Sequence, residues 1–160
     1  MNEVYKAYYK SPMGGIEICA SEKGLLSVSF IDKEESKSKK NTILSKCIVQ
    51  LKEYFSGNRK EFDIPLDMLG TEFQKQVWCE LQNIPFGKTV SYLDIAKKVG
   101  DKNSTRAVGN ANGKNPVAII IPCHRVIGMS GKLVGYAGGI ERKRWLLNFE
   151  NNITSPNLFN

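Results

Sequence analysis

The stretch Ile119-Ile120-Ile121-Pro122-Cys123-His124-Arg125-Val126-Ile127-Gly128 organises the reading of this chain. An apolar run ends at a proline, and the next three residues are a thiol, the only histidine of the protein and a cation. Pro122 restricts Ile121 to extended geometry and locks its own φ, so the run cannot continue as helix into Cys123. The thiol is therefore expected at a bend leading out of a buried segment. A free cysteine titrates near roughly 8.5, so little of it is thiolate at neutral pH unless a base or a positive charge stands close. His124 and Arg125 could supply both. Taken alone, the same residues also fit a small core hydrophobe, the commoner fate of a lone cysteine.

Upstream of this stretch the pattern is helical. Thr71-Glu72-Phe73-Gln74 is a capping box, in which the Thr hydroxyl and the Gln amide satisfy backbone N–H groups at a helix start. Phe73, Val77, Leu81 and Ile84 form the apolar stripe of that helix, and Pro85-Phe86-Gly87 closes it. Ser91 caps a second helix, Tyr92 to Val99, with Leu93, Ile95, Ala96 and Val99 turned inward. Gly100 to Asn103 makes a turn, and Ser104 is placed to cap a third helix from Thr105 to about Asn112. Helix, short turn with glycine, helix is the helix-turn-helix arrangement, although many helical hairpins bind nothing. The third helix carries Arg106, Gly109, Asn110, Ala111, Asn112 and Gly113, small or polar side chains that would let a backbone approach a duplex closely.

The N-terminal part reads differently. Val4 to Tyr9, Gly15 to Ala20 and Leu25 to Ile31 are β-rich segments separated by turns at Ser11-Pro12-Met13-Gly14-Gly15 and Glu22-Lys23-Gly24, an antiparallel meander. Lys33 to Lys40 is a charged surface loop. Ile43, Leu44, Cys47, Ile48, Leu51, Tyr54 and Phe55 recur at helical spacing from Thr42 to Phe55, and Ser56-Gly57-Asn58 stops that helix. Phe62 to Leu66 leads out as a strand or linker. The expected fold is α/β, with an N-terminal lobe of antiparallel sheet plus helix (residues 1–69) as scaffold. A mostly α-helical C-terminal lobe (residues 70–160) carries the helix-turn-helix and Cys123.

Charge separates the same two halves. The protein has 160 residues and a net charge of +7. Residues 1–69 balance to +1 and residues 70–160 to +6, so the positive field belongs to the half with the thiol and favours a polyanionic partner. The four cysteines, Cys19, Cys47, Cys79 and Cys123, are far apart with one histidine among them, which suggests neither a zinc site nor a disulfide framework. There is no signal-peptide pattern and no membrane-length apolar run, so a cytoplasmic location is expected.

Six blocks in one order then become specific. Arg106-Ala107-Val108-Gly109, Asn115-Pro116, Pro122-Cys123-His124-Arg125, Tyr136-Ala137-Gly138-Gly139, Trp145-Leu146-Leu147 and Glu150 together resemble the O6-alkylguanine-DNA alkyltransferases, from about Thr71 to Asn151. The resemblance implies a DNA repair protein that flips O6-alkylguanine out of the duplex and takes its alkyl group, mainly methyl, onto Cys123. Transfer is irreversible and happens once per molecule, as a single-turnover cysteine S-methyltransferase.

By the same resemblance His124 accepts the thiol proton through a water, Glu150 orients the imidazole, and Asn115 holds the turn. Tyr92 donates its hydroxyl to the base or packs beside it. Tyr136, Ala137, Gly138 and Val126 form the substrate pocket, with Ala137 standing where many relatives carry serine. DNA binding falls to Thr105, Arg106, Ala107, Gly109, Asn110, Asn112 and Gly113, entering the minor groove with Arg106 in the base stack, so that binding depends little on sequence. Arg125 is expected to be a structural or phosphate-facing cation. No metal, cofactor or G-x-G-x-x-G loop is called for, and the expected form is a monomer on double-stranded DNA. Two rivals are a helix-turn-helix regulator or lesion sensor that binds without reacting, and a thiol hydrolase or redox protein.

Overall fold

The computed structural model describes residues 3–33, 38–100 and 102–155. The middle of the expected charged loop, Asp101 of the expected interhelical turn, and the tail beyond residue 155 lie outside these. The chain divides into two compact units, one of residues 1–69 with 116–120 and one of residues 70–115 with 121–160.

The first unit is built on a meander of β1 (Tyr5–Ser11), β2 (Gly14–Ala20) and β3 (Leu25–Ile31), antiparallel in that order. The strands run on past the expected turn, leaving only Pro12 and Met13 between them. Ser11 makes this possible: its hydroxyl donates to the Gly14 carbonyl at 2.7 Å and accepts from the Met13 amide at 3.1 Å. Period-2 alternation buries Ile16 and Ile18 on one side of β2. Helix α1 (Thr42–Phe55) packs on this sheet, started by Asn41, whose side chain accepts the Leu44 amide. Leu44, Cys47, Leu51 and Tyr54 form its buried stripe. Gln50 exchanges two hydrogen bonds with the backbone of Asp63, at 2.9 and 3.1 Å, tying down the extended segment that follows, and Leu66 pairs with Leu25.

A late piece of chain also belongs to this unit. The Val28 amide donates to the Pro116 carbonyl at 2.9 Å and the Ala118 amide to the Val28 carbonyl at 3.0 Å, a parallel bridge at the edge of β3. The chain leaves it through Ile119, a β-branched residue with φ 70°, with the Ile120 amide bonded to the Ala118 carbonyl at 2.8 Å. That three-residue turn is a strained conformation which a branched side chain rarely adopts.

The second unit is helical: α2 (Glu72–Leu81), α3 (Tyr92–Val99), α4 (Thr105–Gly113) and α5 (Ile140–Thr154), with the short parallel pair β4 (Val90–Ser91) and β5 (Val126–Ile127). Both bonds of the Thr71/Gln74 capping box are made, and Ser91 with Asp94 makes a second box at α3. Helix α2 ends before Ile84, which is nonetheless buried in the turn that follows. A 3-10 turn at Lys102–Ser104 leads into α4, and Ser104 makes no side-chain capping bond there. Its ψ of 11° lies far from the extended geometry that aims a hydroxyl at the next turn.

Trp78 welds α2 to α4: it is 2% exposed and its Nε1 donates to the Ala111 carbonyl at 2.9 Å. Trp78→Phe keeps a ring but loses the donor and leaves space, so the unfolding free energy in a denaturant titration should fall by about 1–3 kcal/mol.

Candidate active site around Cys123

Cys123 emerges from two turns in succession. After Ile119, Pro122 (φ −80°, ψ 62°) centres a second three-residue turn in which the Cys123 amide donates to the Ile121 carbonyl at 2.8 Å. Asn115 Nδ2 donates to that same carbonyl at 2.8 Å. Residues Cys123–Arg125 then form one 3-10 turn before β5. The thiol is 6% exposed.

Behind it lies a buried ion cluster. Glu150 on α5 receives the His124 Nε2 proton at 2.8 Å and Arg125 at 2.8 Å (Nε) and 3.0 Å (Nη2), while the Gly87 amide adds a fourth contact at 3.2 Å. Arg125 Nη1 continues to the Ile84 carbonyl at 2.7 Å. Gly87 has to be glycine: its φ is 80°, and a Cβ there would stand 2.5 Å from the Thr154 methyl. Burial pushes the Glu150 carboxyl up, but the bonds and charges of His124 and Arg125 outweigh it and hold the carboxyl well below the usual carboxylate range. Complete burial lowers His124, against the pull of Glu150, so the imidazole is neutral at rest. With Nε2–H committed to an ionised carboxylate, Nδ1 is the basic nitrogen, and it is buried with no hydrogen-bond partner.

Cys123 itself is held as a thiol. Burial raises it, opposed by a hydrogen bond with Asn115, by the charge of Lys143 and by its own amide. Of the two roles expected for Arg125, structural or phosphate-facing, it takes the structural one: its guanidinium is buried and spent on Glu150 and Ile84, and it neither faces phosphate nor is left to activate the thiol. The cation acting on Cys123 is Lys143, which sequence reasoning missed. Its signal was present, because Lys143, Leu146 and Glu150 share the buried face of α5 at helical spacing.

Around the thiol, Tyr92 Oη donates to the Val134 carbonyl at 3.0 Å, so the hydroxyl assigned to the base is engaged by the protein's own loop. Tyr136 is half-buried, and burial carries its hydroxyl well above the ordinary tyrosine range. Ala137 is exposed, Gly138 accepts from Arg142 at 3.1 Å, and the Val126 side chain is fully buried as wall rather than ligand contact. On α4, Arg106, Ala107, Asn110 and Gly113 are exposed, with Thr105 and Gly109 half-exposed. Asn112 and Ala111 are corrections, because they turn inward with Val108 at i, i+3 and i+4, and Asn112 Nδ2 reaches the Cys123 carbonyl at 3.5 Å. Among the described residues, no cluster of three or more His, Cys, Asp or Glu could hold a metal ion, and no helix is long and apolar enough to cross a membrane.

Residues 72–152 match the DNA-binding domain of 6-O-methylguanine DNA methyltransferase, and residues 4–68 match its ribonuclease-like domain. The chain belongs to the O6-methylguanine DNA methyltransferase family. A methylated-DNA--protein-cysteine methyltransferase of Methanosarcina acetivorans is 45% identical over 153 residues, 92% of this chain and 98% of that protein. The crystal structure of the Mycobacterium tuberculosis O6-methylguanine methyltransferase superposes with a TM-score of 0.86 at 41% identity over 98% of both chains. The Mycobacterium tuberculosis OGT in complex with DNA gives 0.84 at 44% identity over 91% of this chain and 92% of that one.

The family site makes stability depend on acid. Glu150 and His124 both titrate lower in the folded than in the unfolded protein, so the unfolded chain binds more protons and stability rises with pH. On acidification the His124 contribution is lost below about pH 6.5 and the Glu150 contribution below about 4.5. Glu150→Gln should lower stability at pH 7 by about 3–5 kcal/mol, since Arg125 is left buried without its counter-ion. The variant should also flatten the acid limb of a melting-temperature profile below pH 4.5; an unchanged limb would assign that loss to other groups.

Proposed function

We propose that this protein repairs O6-alkylguanine, chiefly O6-methylguanine, in double-stranded DNA by moving the alkyl group irreversibly onto Cys123. The observation that carries the reading is the Cys123 turn backed by neutral His124, whose free nitrogen faces away from an ionised Glu150. A base inside a duplex cannot reach a thiol 6% exposed, so the nucleotide is flipped out, at a cost of a few kcal/mol.

In the reaction, the Cys123 proton passes to His124 Nδ1, through a water, and Glu150 stabilises the imidazolium that forms. Sulfur attacks the alkyl carbon in line, the S–C bond forms and the C–O6 bond breaks. Tyr92, once its hydroxyl exchanges the Val134 carbonyl for the base, gives the purine a proton, the His124 imidazolium restores that proton to Tyr92 through solvent, and the base stays in the strand as guanine. The thioether is a poor leaving group with no second nucleophile assigned to remove it, so each molecule reacts once. Tyr136, Ala137 and Gly138 line the base pocket, and Asn115 steadies both the turn and the sulfur.

Residues 70–160 act as the DNA-binding and alkyl-transfer lobe and residues 1–69 as scaffold. Helix α4 presents Arg106, Ala107, Asn110 and Gly113 to the minor groove, with Thr105 and Gly109 beside them and Arg106 filling the space the nucleotide leaves. The protein acts as a monomer, and its free cysteines suit the reducing cytoplasm.

Incubation with duplex DNA containing O6-methylguanine, followed by peptide mapping, should find one methyl per protein on Cys123 and none in Cys123→Ser. Repeated turnover, or lesion binding without modification, would sink the reading. Arg106→Ala should slow repair of duplex DNA by about tenfold or more while the free base reacts at the ordinary rate, as a loss of about 1.4 kcal/mol confined to the flipped complex. Equal losses on both substrates would show that Arg106 does not hold the stack open.

A further inference from the structure

Asn112 is a buried polar side chain that the repair reading leaves without a task. It is 4% exposed on α4, on the face it shares with Val108 and Ala111 and opposite the one that presents Arg106, Asn110 and Gly113. Its Nδ2 donates to the Cys123 carbonyl at 3.5 Å, the far end of hydrogen-bond length, and among the described residues its Oδ1 is buried with no partner. A buried amide with an unanswered acceptor carries a full desolvation penalty, which an apolar side chain of the same shape would remove. Such a group in a packed core calls for a reason beyond packing.

The backbone carbonyl of Asn112 accepts the Asn115 amide at 3.3 Å, closing the turn after α4, and Asn115 Nδ2 in turn holds the Ile121 carbonyl at 2.8 Å. The Asn112 side chain reaches two residues further, to the carbonyl of Cys123. That oxygen also accepts the Val126 amide and so closes the 3-10 turn that carries the thiol. Asn115 thus grips the chain just before the thiol, and Asn112 grips the residue that bears it. Trp78 anchors the same buried face of α4 at the Ala111 carbonyl, 2.9 Å away. A displacement of α4 therefore reaches the Cys123 backbone through a single contact, the Asn112 amide.

We propose that Asn112 is a positioning residue for alkyl transfer, whose carboxamide ties the DNA-facing helix to the Cys123 carbonyl so that a duplex seated on α4 sets where the sulfur stands. The inference deepens the alkyl-transfer reading and rests on it. Shortening the contact from 3.5 Å to the usual length of about 3.0 Å takes a shift of only about half an ångström, within the tightening that hydrogen bonds of a reactive site undergo when substrate binds. In-line displacement is sensitive to misplacement on that scale, because the sulfur has to meet the alkyl carbon on the axis of the breaking bond. A free base puts no load on α4 and gains nothing from the contact.

Asn112→Leu tests this, since leucine has nearly the same shape and neither donates nor accepts. Methylation of Cys123 is timed with saturating duplex carrying O6-methylguanine and with the free O6-methylguanine base, alongside duplex affinity and thermal melting. The variant should react with the duplex about tenfold more slowly, yet with the free base at the rate of the unaltered protein. Its duplex affinity should be unchanged, because the outer face of α4 is untouched, and it should melt no lower. The split between the two substrates decides. Equal losses on both would show a purely structural residue, an unchanged duplex rate would show that the contact positions nothing, and a loss confined to affinity would make Asn112 a DNA contact; each overturns the proposal. Should Asn112→Leu fail to fold, Asn112→Ala, which adds no bulk, goes through the same comparison and is decided by the same outcomes. Unaltered protein that leaves Cys123 unmethylated would sink the repair reading itself, a result distinct from a variant that repairs duplex DNA at full rate.

Discussion

The carboxylate of Glu150 is the constraint on which the second unit depends. A buried negative charge is tolerated only when its oxygens are fully engaged, and here His124, Arg125 and the Gly87 amide engage them. Three of the four bonds come from the Cys123–Arg125 turn and one from the loop after α2, and the acceptor sits on α5. The carboxylate thus fixes the register of α5 against the turn that presents the thiol. It also sets the tautomer of His124, because an ionised acceptor on Nε2 leaves the lone pair on Nδ1.

This arrangement explains a resting state that differs from the one the motif suggests. Proximity of Cys, His and Arg in sequence implies a thiolate stabilised by its neighbours. In the fold Arg125 is neutralised by Glu150, His124 is neutral, and burial keeps Cys123 protonated. A protein that reacts once is served by a nucleophile in reserve, since a permanently ionised thiol would be open to small oxidants and alkylating agents. The nitrogen of His124 without a hydrogen-bond partner is the one group of the ion cluster left with the capacity to accept a proton.

Local signals carried much of the fold. The capping box at Thr71, the cap at Ser91, the α1 stripe and the three strands all stand where side-chain chemistry and period place them, because each is decided within about one turn of chain. The failures share one cause. Ser104 was judged by residue type, but its backbone leaves a 3-10 turn rather than a strand. Asn112 was judged polar and therefore outward, whereas its spacing with Val108 and Ala111 already assigned it to the packed face. Lys143 carries a charge yet lies in phase with Leu146 and Glu150 on the buried face.

The amino-acid order by itself determined most of the elements, the bend at Pro122 and the Cys-His-Glu set at the thiol, since these follow from backbone sterics and from the six blocks of family likeness. What the order could not determine was which charge answers which. Arg125 adjoins Cys123 in the chain yet serves Glu150, whereas Lys143, twenty residues on, lies on the buried face of α5 and donates to the Val134 and Gly135 carbonyls. Electrostatic partnership depends on distance and desolvation in three dimensions, and only the packing of α5 against the Cys123 turn supplies both.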